Sequence, residues 1–452
     1  MKSLRYIRIW ILFGLCVCLT NNLFAQLSPY HSILFPYDNP NRVVYSAGSL
    51  TYAASDYSAN IQNNPVSFSY VKKPQIFFIF NQDISRYYIT DIRINKTLFN
   101  TENDDKEKKL DAKYKLYPRF ISCTMPLNVA KHRIFLSASL NKIQTPEHDV
   151  QLTSKKYSGL NPELDFFHHR DGRVWNASIN IGYQLPLNIN LGITWSKWFG
   201  SWHWYDYNTA QSVIGEGKFK YNGNNFSIGL LKKYKDHSIS ISYHTPLSLM
   251  EADDISIKNR GEYMCTLQQK FNGALKLGIA FILNDKSTLS FGYRYQNKFS
   301  MRKTWVWNNG SEMISEKIHK YSSSHQIAIS YEHIIYYKGK KLPIFLTYWA
   351  DWLPDRSTYG ATTHSLYQDF YPNLHTNIPN LPIKIPELYE NIAVGISFPF
   401  YFLNIHLSSQ LNIYPIDVTY LPHNYSHFIP PFSFEAKRVN FMLNFGISYN
   451  FR

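Results

Sequence analysis

Thirteen residues at the end of the chain alternate without a break. Val439, Phe441, Leu443, Phe445, Ile447, Tyr449 and Phe451 are separated by Asn440, Met442, Asn444, Gly446, Ser448 and Asn450. Successive side chains of a strand point to opposite faces. One face is therefore wholly apolar and aromatic, and the other is small or polar except for Met442. A soluble sandwich strand can carry such a pattern. Its length, in a chain that opens on a secretory leader, favours a strand that meets lipid.

The same two-residue period recurs upstream. Ile134, Leu136, Ala138 and Leu140 form one stripe, and Ala177, Ile179, Ile181, Tyr183 and Leu185 another. Ile189, Leu191, Ile193 and Trp195 follow Pro186. Further stripes are Ile239, Ile241, Tyr243; Leu275, Leu277, Ile279, Phe281; Leu289, Phe291, Tyr293, Tyr295; and Ile327, Ile329, Tyr331. Tight turns are expected at Leu185-Pro186-Leu187-Asn188, Lys235-Asp236 and Asn284-Asp285-Lys286, and longer connections near 142–173, 200–221, 299–322, 351–388 and 415–437. Short turns at one end and long loops at the other are the habit of membrane barrels. The rhythm gives about 14 to 16 strands, with an even number expected. The barrel must close, because an open edge in lipid leaves backbone groups without partners.

The N-terminus reads as a targeting segment. Lys2, Arg5 and Arg8 precede an apolar run from Ile9 to Leu19, and Ala25 offers a small residue for cleavage. A retained anchor is the alternative, but the run is short for a membrane helix. Neither Cys16 nor Cys18 has the small residue before it that lipoprotein processing needs. Removing the leader leaves only Cys123 and Cys265, which excludes a disulfide framework and leaves a single bridge open. No Gly/Ser or Pro-rich linker divides the rest. The expected organisation is a signal peptide over 1–25, a periplasmic or hatch segment over 26–70, and a transmembrane β-barrel over 71–452.

Composition agrees with an all-β transmembrane antiparallel barrel. Aromatic residues make up 17% of a chain whose mean hydropathy is −0.31. That combination suits an aromatic-belted outside around a wet interior. No 18-residue apolar stretch follows the leader, so helical spans are not expected. The formal net charge of +15 is scattered over strand ends and loops. Contact with anionic lipid or attraction of anionic solutes explains it, and nucleic acid is not an expected partner.

Two stretches resemble the FadL-type family of hydrophobic-compound transporters. The first runs Ala53-Ala54-Ser55-Asp56-Tyr57-Ser58-Ala59-Asn60-Ile61-Gln62-Asn63-Asn64-Pro65. It is similar to that family's Asp-Ala-Ser-Ala followed by Asn-Pro-Ala, although Val66 replaces the usual Ala and the spacing is one residue longer. The second runs from Asn222 through Tyr243-His244-Thr245-Pro246 and on to Gly273–Phe281 and Asn284–Leu289. It resembles a strand ending in Tyr-Arg-Ser-Pro and the hairpin after it, with His244 and Thr245 in place of Arg and Ser.

The resemblance implies a barrel of about 14 strands with an N-terminal lumenal hatch. It places Asp56, Ser58, Ala59, Asn63, Asn64 and Pro65 in that hatch. It also implies capture of a hydrophobic ligand by outer loops, sideways exit through the wall, and no cofactor. Insertion machinery reading the C-terminal aromatic strand is a further implied partner, with Arg452 after Phe451 a small departure. From the residues alone, the small and amide side chains of Arg42 to Val66 suit turns that satisfy their own backbone groups. An ordinary periplasmic leader remains the alternative.

For ligand contact the densest signal is Trp195, Trp198, Phe199, Trp202, Trp204, Tyr205 and Tyr207, expected at a strand end and its loop. Such rings serve either as a capture surface or as an interfacial girdle. A carboxylate-bearing ligand would also need a cation, for which Lys232, Lys233, Arg294 and Arg302 are candidates. The adjacent His168 and His169 face opposite ways on a strand, so no metal is expected. There is no Gly-x-Ser-x-Gly elbow or phosphate loop, and no enzyme is expected. The leading reading is an outer-membrane channel for passive uptake of hydrophobic compounds such as long-chain fatty acids in a Gram-negative cell. The alternatives are a barrel serving as a scaffold or secretion-system partner, and a general porin.

Overall fold

The computed structural model describes residues 51–53, 64–67, 71–94, 116–129, 132–143, 148–153, 165–208, 212–257, 261–307, 315–321, 323–352, 388–420 and 432–451. The strands are β1 (Gln75–Ile94), β2 (Leu116–Val129), β3 (His132–Ile143), β4 (His148–Thr153), β5 (Asp165–Leu185), β6 (Ile189–Asn208) and β7 (Ser212–Lys233). They continue as β8 (His237–His244), β9 (Leu247–Ile257), β10 (Gly261–Phe271), β11 (Ala274–Asn284), β12 (Ser287–Gln296) and β13 (Phe299–Trp307). The last are β14 (Ser315–Tyr321), β15 (Ser324–Tyr337), β16 (Lys340–Trp352), β17 (Leu388–Phe400), β18 (Leu403–Tyr420) and β19 (Phe432–Asn450). Five of these are continuations: β4 extends β3, and β9, β10, β13 and β14 extend β8, β11, β12 and β15. Nineteen strands thus form fourteen antiparallel staves. β1 pairs with β19 from Gln75↔Asn450 to Ile94↔Phe432, which closes the sheet on itself.

The barrel is apolar outside and carries many polar groups inside. Along β8, Ile239, Ile241 and Tyr243 are 43–45% exposed, while Ser240, Ser242 and His244 are 4% exposed or less. The same inversion holds for Ile179 and Ile181 against Ser178 and Asn180, and for Ile327 and Ile329 against Gln326 and Ser330. Lumen polar groups bond across the staves. His406 bridges the hydroxyls of Ser397 (2.7 Å) and Ser448 (2.9 Å), and Asn180 Nδ2 donates to Thr194 Oγ1 at 2.7 Å. An apolar outer band around satisfied polar groups is what a bilayer requires of a spanning sheet. Among the described residues no helix is long and apolar enough to cross a membrane. Cys123 is free and exposed on β2, so the bridge left open by the sequence does not form.

The three expected tight turns are present, and Lys338-Gly339 and Tyr401-Phe402 add two more on the same rim. Leu187 and Asn188 both have φ near 60°, and Lys338 and Gly339 are also positive. At Lys338-Gly339 the paired values fit the right-handed twist of a two-residue hairpin, while Leu187 and Asn188 belong to the three-residue connection Pro186–Asn188. Several of the expected long connections are in large part strand. β6 and β7 cover nearly all of 200–221, β13 and β14 much of 299–322, and β18 and β19 about half of 415–437. Aromatic and charged residues that looked like loop composition continue the ladders instead.

Four neighbouring staves share a fault. β8 and β9 are separated by Thr245-Pro246, β11 and β10 by Asn272-Gly273, β12 and β13 by Asn297-Lys298. Pairing resumes in step on both sides. Ala274 pairs with His244 and Gln296, Phe271 with Leu247 and Phe299, Ser324 with Gln296, and Tyr321 with Phe299. His244 and Leu247 are three positions apart, yet both are buried. The fault therefore exchanges the inward and outward faces, as an inserted bulge residue does. β7 runs past it unbroken, so Asn225 and Phe226 face Thr245 to Leu247. The Thr245 N–H donates to the Phe226 carbonyl at 2.8 Å, and its hydroxyl accepts from the Phe226 N–H at 2.9 Å. Pro246 has no N–H to leave unpaired at the gap.

Candidate functional site

The site is the lumen, and its tight-turn half holds residues of the N-terminal segment. Thr51, Tyr52 and Ala53, with Asn64 to Ser67, are buried against inward-facing side chains. Ser240 Oγ donates to the Tyr52 carbonyl and Ser238 Oγ to the Ala53 carbonyl, each at 2.7 Å. Asn180 Nδ2 donates to the Pro65 carbonyl at 3.2 Å, and Asn64 Nδ2 donates to the Tyr52 carbonyl. Asn64 Oδ1 in turn accepts from the Val66 N–H at 3.2 Å, the local turn bonding expected of an Asn-Pro step. Two glycines make room. A Cβ on Gly192 would lie 2.1 Å from the Pro65 oxygen, and one on Gly278 would lie 2.0 Å from the Thr51 oxygen. No side chain fits at either position without moving the segment.

A polar relay ties Tyr52 to the neighbouring staves β12, β15 and β16. Its hydroxyl donates to Gln326 Oε1 at 3.1 Å, Gln326 Nε2 donates to Asp351 Oδ1, and Arg294 pairs with the same carboxylate at 3.3 Å. Lys276 Nζ stands 5.4 Å from the centre of the Tyr52 ring. Arg294 is fully buried, so a paired carboxylate is what makes its charge tolerable there. A second buried guanidinium comes from a bulge in β2. Ile79 pairs with Phe120 and Phe80 with Pro118, which leaves Arg119 as the extra residue, with Nη1 3.8 Å from Met442 Sδ.

Beyond the fault the lumen changes character. Leu247, Leu249 and Phe271 now face inward and are at most 1% exposed. Leu249 Cδ2 and Leu247 Cδ1 lie over Gly223, at 2.7 and 3.2 Å from where its Cβ would stand. Trp198 pairs with Gly223 across β6 and β7 and donates from Nε1 to Asn225 Oδ1 at 3.0 Å. Tyr221 and Val174 complete this apolar belt. Six residues along β6 separate Gly192 from Trp198, or about 20 Å. The belt thus sits on the long-connection side of the buried N-terminal residues.

No family model matches the chain, and no curated protein matches it. Solved structures do. The Ralstonia pickettii toluene transporter TbuX superposes with a TM-score of 0.56 at 11% identity, covering 92% of this chain and 100% of that one. A Pseudomonas aeruginosa FadL homologue gives 0.55 at 10% identity over 90% and 96%. The Pseudomonas putida toluene transporter TodX gives 0.55 at 11% over 90% and 97%. This chain has the FadL-type barrel fold.

The sequence-derived candidates divide within that FadL-type frame. Asn64 and Pro65 lie in the lumen; Asp56, Ser58, Ala59 and Asn63 fall outside the described residues. Trp195, Trp198, Phe199, Trp202 and Trp204 all belong to β6, not to a loop beyond it. Trp195 and Phe199 point outward at 39% exposure, and Trp198 points inward at 5%. One capture surface made of all five is therefore corrected, since a strand sends neighbours to opposite faces. Trp202 and Trp204 pair with Gly172 and Arg170. Of the cations, Arg294 is lumenal, while Lys232 stands over the Tyr234 ring near a tight turn. Among the described residues no cluster suits a metal ion. Leu247, Leu249, Phe271 and Arg119 were not singled out from the sequence. The only signal for the first three is Pro246, Gly273 and Asn297 falling at matching points of consecutive strands, and Arg119 has none.

Proposed function

We propose that this chain is an outer-membrane channel through which a hydrophobic compound passes passively, with the N-terminal segment as its hatch. One observation carries the reading. The apolar belt of Trp198, Leu247, Leu249 and Phe271 stands beyond the polar inner face of β8 and β11, above glycine niches filled by Thr51 and Pro65. A segment seated in the lumen narrows the path for water and ions, and an apolar belt gives an apolar solute a lower-energy station than water does. The toluene transporters TbuX and TodX, barrels of the same fold, support the substrate class. Aromatic hydrocarbons and long-chain fatty acids are the two substrate types to separate. The leader over 1–25, with cleavage near Ala25, delivers the chain to the outer membrane of a Gram-negative cell.

The test is uptake of tritiated oleate and of carbon-14 toluene by Gram-negative cells lacking their own transporters, with and without this chain. Saturable, energy-independent accumulation of either supports the channel. Uptake equal to the empty host, with a folded barrel in the outer membrane, rejects it in favour of a scaffold.

A further inference from the structure

The tight-turn rim is not uniform. The turns β7–β8, β11–β12 and β15–β16 are successive on the rim, because β8 pairs with β11 and β12 with β15. The first carries Lys232, Lys233 and Lys235, the second Lys286, and the third Lys338, Lys340 and Lys341. Only Asp236 and Asp285 oppose them within these turns. The turns β5–β6 (185–189) and β17–β18 (399–403) lie on the same rim and hold no charged residue. Lys72, Lys73 and Arg133 stand apart beside β1 and β3. Most of the cations described on this rim are thus gathered on one arc.

That arc is rigid and already paired with aromatics. The Ile282 N–H donates to the Asp236 carbonyl at 2.8 Å, and the Ile334 N–H donates to the Lys286 carbonyl at 2.7 Å. Each turn is therefore stitched to the next stave. Lys232, Lys286 and Lys338 place Nζ 4.9, 5.5 and 5.4 Å from the ring centres of Tyr234, Tyr336 and Tyr337. All three tyrosines are exposed. Exposed Tyr on a spanning barrel marks headgroup depth, and a lysine stem along such a ring carries its ammonium to the same depth. The outward surface below is apolar, with Ile282 and Ile335 exposed. Ammonium groups at headgroup depth above an apolar wall complement an anionic phospholipid: phosphate at the lysines, acyl chains on the wall.

We propose that this arc binds anionic phospholipid headgroups in the leaflet that meets the tight turns. The test uses spin-labelled phosphatidylglycerol and phosphatidylcholine with the full barrel reconstituted in phosphatidylcholine bilayers. Electron paramagnetic resonance then reads the motionally restricted fraction of each lipid. One lysine contact near the surface is worth ~5-fold in preference. The wild type is expected to favour phosphatidylglycerol by about that factor, and less at high salt. Changing Lys235, Lys286, Lys338 and Lys340 together to Gln should bring the ratio close to one, and changing them to Arg should keep it. A wild-type ratio of one, a ratio indifferent to salt, or a Gln variant with the full preference overturns the proposal. If the Gln variant does not fold, the salt titration decides. No step reads transport, so the channel reading and this one fail separately.

Discussion

The same four staves line two unlike halves of one lumen. Toward the tight turns, β8 and β11 present Ser240, Ser242 and Lys276 to the interior. Past Thr245-Pro246 and Asn272-Gly273, their continuations present Leu247, Leu249 and Phe271. Nothing in composition separates the halves, since Ile239, Ile241 and Tyr243 are as apolar as the leucines. What differs is phase. In a sheet one inserted residue turns every later side chain to the other face. Here four staves insert together, so the ladder survives and only the assignment of inside and outside changes. A polar seat for the N-terminal residues and an apolar station for a solute can then share one barrel.

The sharpest way to break this comparison is charge on the outer wall. Ile241 is odd-numbered and Met250 even-numbered, yet both face lipid. Ile241→Arg and Met250→Arg should each cost ~2–4 kcal/mol near the bilayer midplane, and less nearer an interface. Leu249→Gln, facing the lumen rather than lipid, should cost less than either. Urea unfolding in bilayers measures all three. A mild Met250→Arg beside a severe Leu249→Gln would abolish the fault as described.

Function offers the next test. Leu247→Ser combined with Leu249→Ser should lower uptake of the hydrophobic solute ~10-fold, as expected from removing apolar contact worth about 1–2 kcal/mol. Trp198→Ser should act in the same direction. Trp195→Ser, three residues away and outward, should leave uptake unchanged. Equal effects of the two tryptophans would place capture outside the lumen.

A smaller effect is expected at the relay in the polar half. Tyr52→Phe removes the hydrogen bond to Gln326 and leaves the ring beside Lys276. Local opening of the Thr51–Ala53 region should become easier by about 1 kcal/mol, read as faster amide exchange there with the global unfolding midpoint unmoved. No change in exchange would mean that Tyr52 is held by packing alone.

Most of the fold was legible because a bilayer and a wet lumen impose opposite demands on adjacent residues. Phe441 to Phe451, Ile239 to Tyr243 and Ile327 to Tyr331 read as strands with one apolar face, and the turn at Leu185–Asn188 followed from its Pro and Asn. The site was less legible. Thr245-Pro246 reads as the end of a strand, whereas the chain resumes the same stave two residues later with its faces exchanged. Trp198 could not be told from Trp195 until the direction of β6 was fixed. Arg119 depends on a bulge that leaves no composition signal. The extension of β6 and β7 through 200–221 was missed because Trp, Tyr and Lys suit a long ladder and a loop equally.

The central proposal is a lumen that the N-terminal residues block at its tight-turn half, with an apolar belt beyond. Single-channel recording in planar bilayers tests it most directly, comparing the intact barrel with Gly278→Val. The Cβ would meet the Thr51 oxygen at 2.0 Å, and such overpacking costs ~1–3 kcal/mol, enough to unseat the segment while the closed ladder keeps its pairing. The account predicts an intact barrel without steady ion current and a Gly278→Val barrel with long-lived open events. Large stable currents from the intact barrel, or an equally silent Gly278→Val barrel that is correctly folded, would contradict it.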